Sequence, residues 1–164
     1  MEIKKQTSKL KKLTLRKLVN VLHDDLDCFF ENSDFSNLVE LNFYDCPKFT
    51  TKCLVQLSKT SKNLEDLNIS WSELVDNDGI SSIFTQCPKI RYVITQGCKK
   101  LNDDILHDYV NEKRRINYIQ LMDFTKCDYI QDKTLLSLSG IYPTASFINY
   151  YGDEFRNKRK LYKD

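Results

Sequence analysis

The stretch Leu38-Val39-Glu40-Leu41-Asn42-Phe43-Tyr44-Asp45-Cys46 sets apolar side chains at Leu38, Leu41 and Phe43 and ends on a cysteine. The same spacing returns as Leu64, Leu67, Ile69, Ser72, then as Ile90, Val93, Thr95, Cys98, and again as Ile119, Met122, Phe124, Cys127. Successive starts are separated by 26, 26 and 29 residues. Carried outward, the register expects starts near 10 and 145, and Leu10, Leu13, Leu15, Leu18 and Ala145, Ile148, Tyr150, Asp153 stand there. A fixed period of this size marks a stack of structural units and decides the architecture before any single motif does.

The second half of each unit repeats too. Eleven residues after each start lies an apolar side chain: Val21, Phe49, Val75, Leu101 or Ile130. Two positions on, Thr51, Asn77, Asp103 and Asp132 are residues whose side-chain oxygens suit a helix N-cap, with His23 beside Asp24 in the first unit. An i, i+3 apolar pair follows on one helix face: Leu26 with Phe29, Leu54 with Leu57, Ile80 with Ile83, Leu106 with Tyr109, Leu135 with Leu138. Each unit therefore reads as a short strand, a turn and a capped helix. A strand and helix of that size cannot bury their apolar faces alone, so the units stack and share a core. The three extra residues between the starts at 90 and 119 fall in the charged segment 111–117, a longer helix end or loop.

LVELNFYDC, LEDLNISWS, IRYVITQGC and IQLMDFTKC, each followed by a turn such as LNDDIL or YIQDKTLL, resemble the leucine-rich repeat family in its cysteine-containing subtype. Cys87-Pro88, just before the strand at Ile90, is similar to that subtype's helix-to-strand junction. The resemblance covers about residues 10 to 153. It implies an α/β fold: a right-handed leucine-rich repeat solenoid, with a short parallel sheet on the concave side and helices on the convex side. It also points to the substrate-receptor subunits of F-box ubiquitin ligases and to proteins similar to the antagonist of mitotic exit. An F-box needs roughly 40 further residues as a helical module, and residues 1–9 cannot supply it, so a ligase role is indirect or the chain is a fragment. Residues 126–138 also look like part of the mitochondrial ATP-synthase coupling protein called factor B or subunit s.

Composition supports one domain spanning 1–164. The chain has 164 residues, 41% hydrophobic and 29% charged, with four Gly and three Pro, which excludes collagen-like and disordered classes. No apolar run approaches the roughly 18 residues of a membrane span. Met1-Glu2-Ile3-Lys4-Lys5 lacks the pattern of a secretory signal, giving an intracellular expectation, cytoplasmic or nuclear, with mitochondrial as the alternative. The net charge of +2 divides into +6 over residues 1–17, +4 over 156–164 and −8 over 18–155. An acidic body with basic tails argues against nucleic-acid binding, which needs a basic face on the folded domain.

No catalytic residues are expected. Cys28, Cys46, Cys53, Cys87, Cys98 and Cys127 contain no C-x-x-C pair, so neither a metal nor another cofactor is implied, and Cys46, Cys98 and Cys127 read as packing residues of the stack. His23 and His107 have no neighbouring nucleophile and orienting acid in sequence, and no phosphate-binding glycine motif occurs.

Strand alternation supplies a candidate binding surface. If Leu41 and Phe43 face the core, Glu40, Asn42 and Tyr44 face the open side. The corresponding residues are Lys12, Thr14, Arg16; Asp66, Asn68, Ser70; Tyr92, Ile94, Gln96; Leu121, Asp123, Thr125; and Phe147, Asn149, Tyr151, with Trp71 at the strand's exit edge. Apolar and aromatic side chains at positions that alternation exposes, ringed by polar ones, fit a protein partner. The set expected to bind it is Tyr44, Asp66, Asn68, Trp71, Tyr92, Ile94, Gln96, Leu121, Asp123, Phe147, Asn149 and Tyr151. The functional expectation is a non-catalytic interaction scaffold, an adaptor or substrate-recognition component linked to ubiquitin ligases, with a coupling subunit of the ATP synthase as the alternative.

Overall fold

The computed structural model describes residues 2–111 and 113–163, the side chains of Glu2 and His23 excepted. The side chain of His23, which holds the capping place in the first unit, and Glu112 in the inserted segment lie outside the described residues. A helix α1 (Glu2–Thr7) precedes strand β1 (Lys12–Thr14) and helix α2 (His23–Glu31). Three units follow: β2 (Glu40–Asn42) with α3 (Thr51–Thr60), β3 (Asp66–Asn68) with α4 (Asn77–Gln86), and β4 (Tyr92–Ile94) with a 3-10 turn (Asp103–Leu106) running into α5 (His107–Val110). Then come β5 (Leu121–Asp123) with α6 (Asp132–Ile141), and finally β6 (Ser146–Ile148), β7 (Glu154–Arg156) and β8 (Arg159–Leu161).

The eight strands form one sheet in chain order, parallel from β1 to β6 and antiparallel across β6, β7 and β8. Leu13, Leu41, Leu67, Val93, Met122 and Phe147 pair in register from rung to rung. From Leu41 onward this row is buried in a continuous core with Leu54, Leu57, Ile80, Ile83, Leu135 and Leu138 of the helices. One sheet face is thereby covered by helices and the other is left open. Phe30, Phe35, Phe43 and Phe49 join the first two units, Phe43 and Phe49 with ring centroids 4.7 Å apart.

Rungs are tied together by three repeated devices. First, Lys17, Asp45, Trp71, Gly97 and Lys126 occupy one position in successive units, each with positive φ. Their amides donate to the next rung's Tyr44, Ser70, Gln96, Thr125 and Tyr150 carbonyls. Second, the thiols of Cys46, Cys98 and Cys127 donate backward to the carbonyls of Leu15, Ile69 and Thr95, at 3.5, 3.4 and 3.1 Å. Ser72, at the same place, has its hydroxyl buried without a hydrogen-bond partner among the described residues.

The third device corrects the expected caps. The N-cap residues are Thr50, Asp76 and Asn102, one position before the residues singled out by spacing, and their side chains accept from the first-turn amides. Gln131 and Leu22 take the corresponding place without a side-chain cap. Thr51, Asn77 and Asp103 instead reach across, accepting from the backbone amides of Asp76, Asn102 and Gln131 at 3.0, 3.2 and 2.9 Å. The polar residue is needed because each turn's amide faces the preceding rung, where an unpaired buried donor is costly.

The last unit carries a second correction. The Ala145 amide donates to Tyr142 as the Leu38 amide donates to Phe35, so a unit does begin there. One residue fewer separates that start from its strand, however. Phe147, not Ile148, pairs with Met122 and is 0% exposed. A single-residue slip sends every side chain of a strand to the other face. Phe147 and Asn149, expected on the open side, are therefore buried, and Ser146 and Ile148 face outward in their place.

The basic C-terminal end is built into the fold. The C-terminal segment forms the β7–β8 hairpin, which buries Phe155 against Phe147's strand. Lys160 fastens it, with Nζ 2.7 Å from Asp132 Oδ2 and 3.0 Å from Asp153 Oδ2. The hydrogen bonds it donates to both carboxylates hold its ammonium well above the usual lysine range. A turned-back hairpin ends the stack without leaving a raw parallel edge over the core.

Candidate functional site on the open face

The parallel register lays the outward side chains in two rows. Lys12, Glu40, Asp66, Tyr92, Leu121 and Ser146 form one. Thr14, Asn42, Asn68, Ile94, Asp123 and Ile148 form the other. From β2 to β6 these positions are half-buried by their neighbours, while the residues between them are buried. Beyond the strands the chain turns through Asx bends. Asn42 Oδ1 accepts from the Tyr44 amide, Asn68 Oδ1 from Ser70, and Asp123 Oδ1 from Thr125. These bends fix the exit angles of β2, β3 and β5 and occupy the acceptor side of both asparagines.

Of the residues expected to bind, Asp66, Asn68, Tyr92, Ile94, Leu121 and Asp123 lie together in the two rows, and Tyr44 and Gln96 flank them just past the strands. Gln96 Nε2 donates to Asp123 Oδ2 at 2.7 Å, and the Tyr92 hydroxyl bonds Gln120 Oε1. Trp71 sits half-buried at the turn, its indole against Gly97 of the next rung. Tyr151 is exposed beyond the last parallel strand, beside Tyr150, and outside the rows. Spacing concealed Ser146 and Ile148 because the deletion before β6 leaves no trace in hydrophobicity: Phe147 and Ile148 are both apolar.

A groove of about 280 Å³ opens on this face, lined by Glu40, Asn42, Asp66, Asn68, Tyr92 and Ile94. Lys12 Nζ pairs with Glu40 Oε1 at 2.8 Å, and Arg91 Nη1 with Glu65 Oε2 at 3.4 Å. Asp66 Oδ1 is buried with no hydrogen-bond partner among the described residues. Burial, with Glu40 and Glu65 nearby, pushes the Asp66 carboxyl above the usual carboxylate range.

Reactive groups lie elsewhere. All six cysteines are free and only Cys28 is exposed. Burial pushes the thiols of Cys98 and Cys87 up to about 12 and those of Cys53 and Cys127 up to about 11, so they stay protonated and weakly nucleophilic at neutral pH. His107 is on α5, with Nε2 3.0 Å from the Asn111 side chain. Among the described residues no three His, Cys, Asp or Glu converge to hold a metal ion, and no helix is long and apolar enough to cross a membrane.

Parallel one-strand, one-helix units stacked in register, with an open face of mixed polar and aromatic side chains, define a repeat-type α/β protein. No family model matches the chain. Its fold is shared with a chain in the crystal structure of the Rad7 and Elc1 complex in yeast, with a TM-score of 0.71 at 18% identity. The match covers 85% of this chain and 33% of that one, so the chain spans about a third of the length of the protein it matches.

Proposed function

We propose that this protein is a non-catalytic interaction module that binds a protein partner through the open face of its sheet. The observation that carries the reading is the placement of Tyr92, Ile94, Leu121 and Ile148 half-buried among the polar side chains of this face, with Trp71 at its edge. Aromatic and aliphatic anchors inside a polar rim are the composition of a protein-binding surface. We further propose that the stack is a leucine-rich repeat of right-handed sense, whose open face is concave and whose helices are convex. The cysteine device supports that assignment, as does the likeness to a chain that is itself part of a protein complex. In this reading the molecule is an adaptor or substrate-recognition component of intracellular ubiquitin-ligase assemblies. No observation on the molecule favours the ATP-synthase alternative.

Affinity purification with mass spectrometry, using the intact chain and the variants Trp71→Ala and Tyr92→Ala, tests the face. The expected result is a specific partner that both substitutions weaken at least tenfold, as loss of an aromatic anchor does. A partner retained unchanged by both variants moves the binding surface elsewhere.

A further inference from the structure

We infer that the groove across β2, β3 and β4 takes a basic side chain, an arginine or lysine, of the partner segment. The inference rests on the open-face reading and gives the partner its chemistry.

Charge sets the first requirement. The outward positions of β1 to β5 hold Lys12 against Glu40, Asp66 and Asp123. Lys12 is engaged with Glu40 and Arg91 with Glu65, so among the described residues no cation makes direct contact with Asp66. Folding has already stripped Asp66 Oδ1 of both water and hydrogen-bond donors, so solvation of the charge falls to Oδ2. An incoming cation therefore displaces little water and gains an undersolvated carboxylate, which makes the contact stronger than a surface ion pair. The Lys12–Glu40 bridge at the rim is such a surface pair, its lysine 63% exposed, and yields easily to a competitor.

Shape sets the second. Tyr92 and Ile94 border the groove beside Asp66 and Asn68, offering an apolar wall to the methylene stem of a long side chain whose head meets the acid. Asn42 and Asn68 spend their Oδ1 atoms on the Asx bends. Among the described residues their Nδ2 groups have no partner, so they can donate to backbone carbonyls of the segment. An acidic or phosphorylated segment meets Glu40, Asp66 and Glu65 and is repelled.

The test uses the full chain labelled with 15N and an eight-residue peptide alternating arginine with leucine, compared with the same peptide carrying citrulline for arginine. The arginine peptide is expected to shift the Asn42, Asn68 and Ile94 amides, with the citrulline peptide at least tenfold weaker. Asp66→Asn should cost about tenfold, the loss of one charge-assisted hydrogen bond, while Asp128→Asn, paired with Lys99 away from the groove, should cost nothing. Equal binding of the two peptides, no binding of either at millimolar concentration, or full binding by a folded Asp66→Asn variant overturns the inference. A natural partner lost on Tyr92→Ala but kept by Asp66→Asn overturns the cation site and leaves the binding face standing.

Discussion

The indole of Trp71 occupies the space that a side chain on Gly97 would need. A Cβ built on Gly97 would lie 2.7 Å from Cζ3 and 2.8 Å from Cδ2 of Trp71, closer than carbon atoms approach. Both residues stand at the left-handed position of consecutive rungs, with φ of 63° and 70°. Of the five residues at that position from Lys17 to Lys126, only Gly97 lacks a side chain, and the tryptophan is the reason.

Gly97→Ala should therefore destabilise the fold by about 2–4 kcal/mol, combining the cost of an L-residue in the left-handed region with overpacking. As Trp71 is the sole tryptophan, its emission reports the same event. Chemical denaturation should show the loss, and native-state fluorescence should shift to longer wavelength as the indole is pushed into solvent. A variant unchanged in both would mean that the ring does not rest on Gly97.

The repeat was legible because Leu41, Leu67, Val93 and Met122 do one job, burial, and burial writes itself into hydrophobicity. Outward residues of β2 to β5 followed from alternation alone. The left-handed positions were hidden: three of the five are Lys or Trp, whose side chains announce no positive φ, and Asp45 alone is a weak sign of one. The caps were displaced by one for a similar reason, since Thr50 and Thr51, Asp76 and Asn77, and Asn102 and Asp103 are pairs of equally good capping residues. Only the next rung decides which of the two bonds its own helix and which reaches to its neighbour. At the C-terminal end, Phe147 and Ile148 offer two apolar choices, and the hairpin that selects Phe147 has no period to betray it.

That choice has a measurable consequence. Phe147 is 0% exposed, so Phe147→Ala should cost about 3–5 kcal/mol, whereas Ile148→Ala on the open face should cost less than about 1 kcal/mol. Urea denaturation of the two variants separates the registers. The reverse order would return Ile148 to the core and Phe147 to the binding face.

Ser72 is the rung position where the cysteine device is broken. Cys46, Cys98 and Cys127 bond the preceding strand, but the Ser72 hydroxyl is buried with no partner. A thiol is cheaper to desolvate than a hydroxyl and longer in its bonds, so Ser72→Cys should stabilise the protein by about 1 kcal/mol. Under reducing conditions the denaturation midpoint should rise with unchanged slope. A destabilised variant would show that the site lacks room for sulfur.

Asp66 links the groove to pH. Burial and the neighbouring Glu40 and Glu65 raise its carboxyl in the folded protein above the 3.8 of an ordinary aspartate. Ionised Asp66 is thus less favourable folded than unfolded, a cost present in full above the raised value. It disappears as pH falls below 3.8, where both states are protonated. Asp66→Asn, which is neutral at every pH, should be more stable than the parent at pH 7, and the difference should shrink steadily on acidification. Thermal melts of the pair between pH 7 and pH 3 measure it, and an advantage that stays constant with pH would mean that Asp66 is not held at a charge penalty. Added arginine peptide should raise the melting temperature of the parent more than that of Asp66→Asn at pH 7, because the ligand stabilises the ionised carboxylate that the variant has lost.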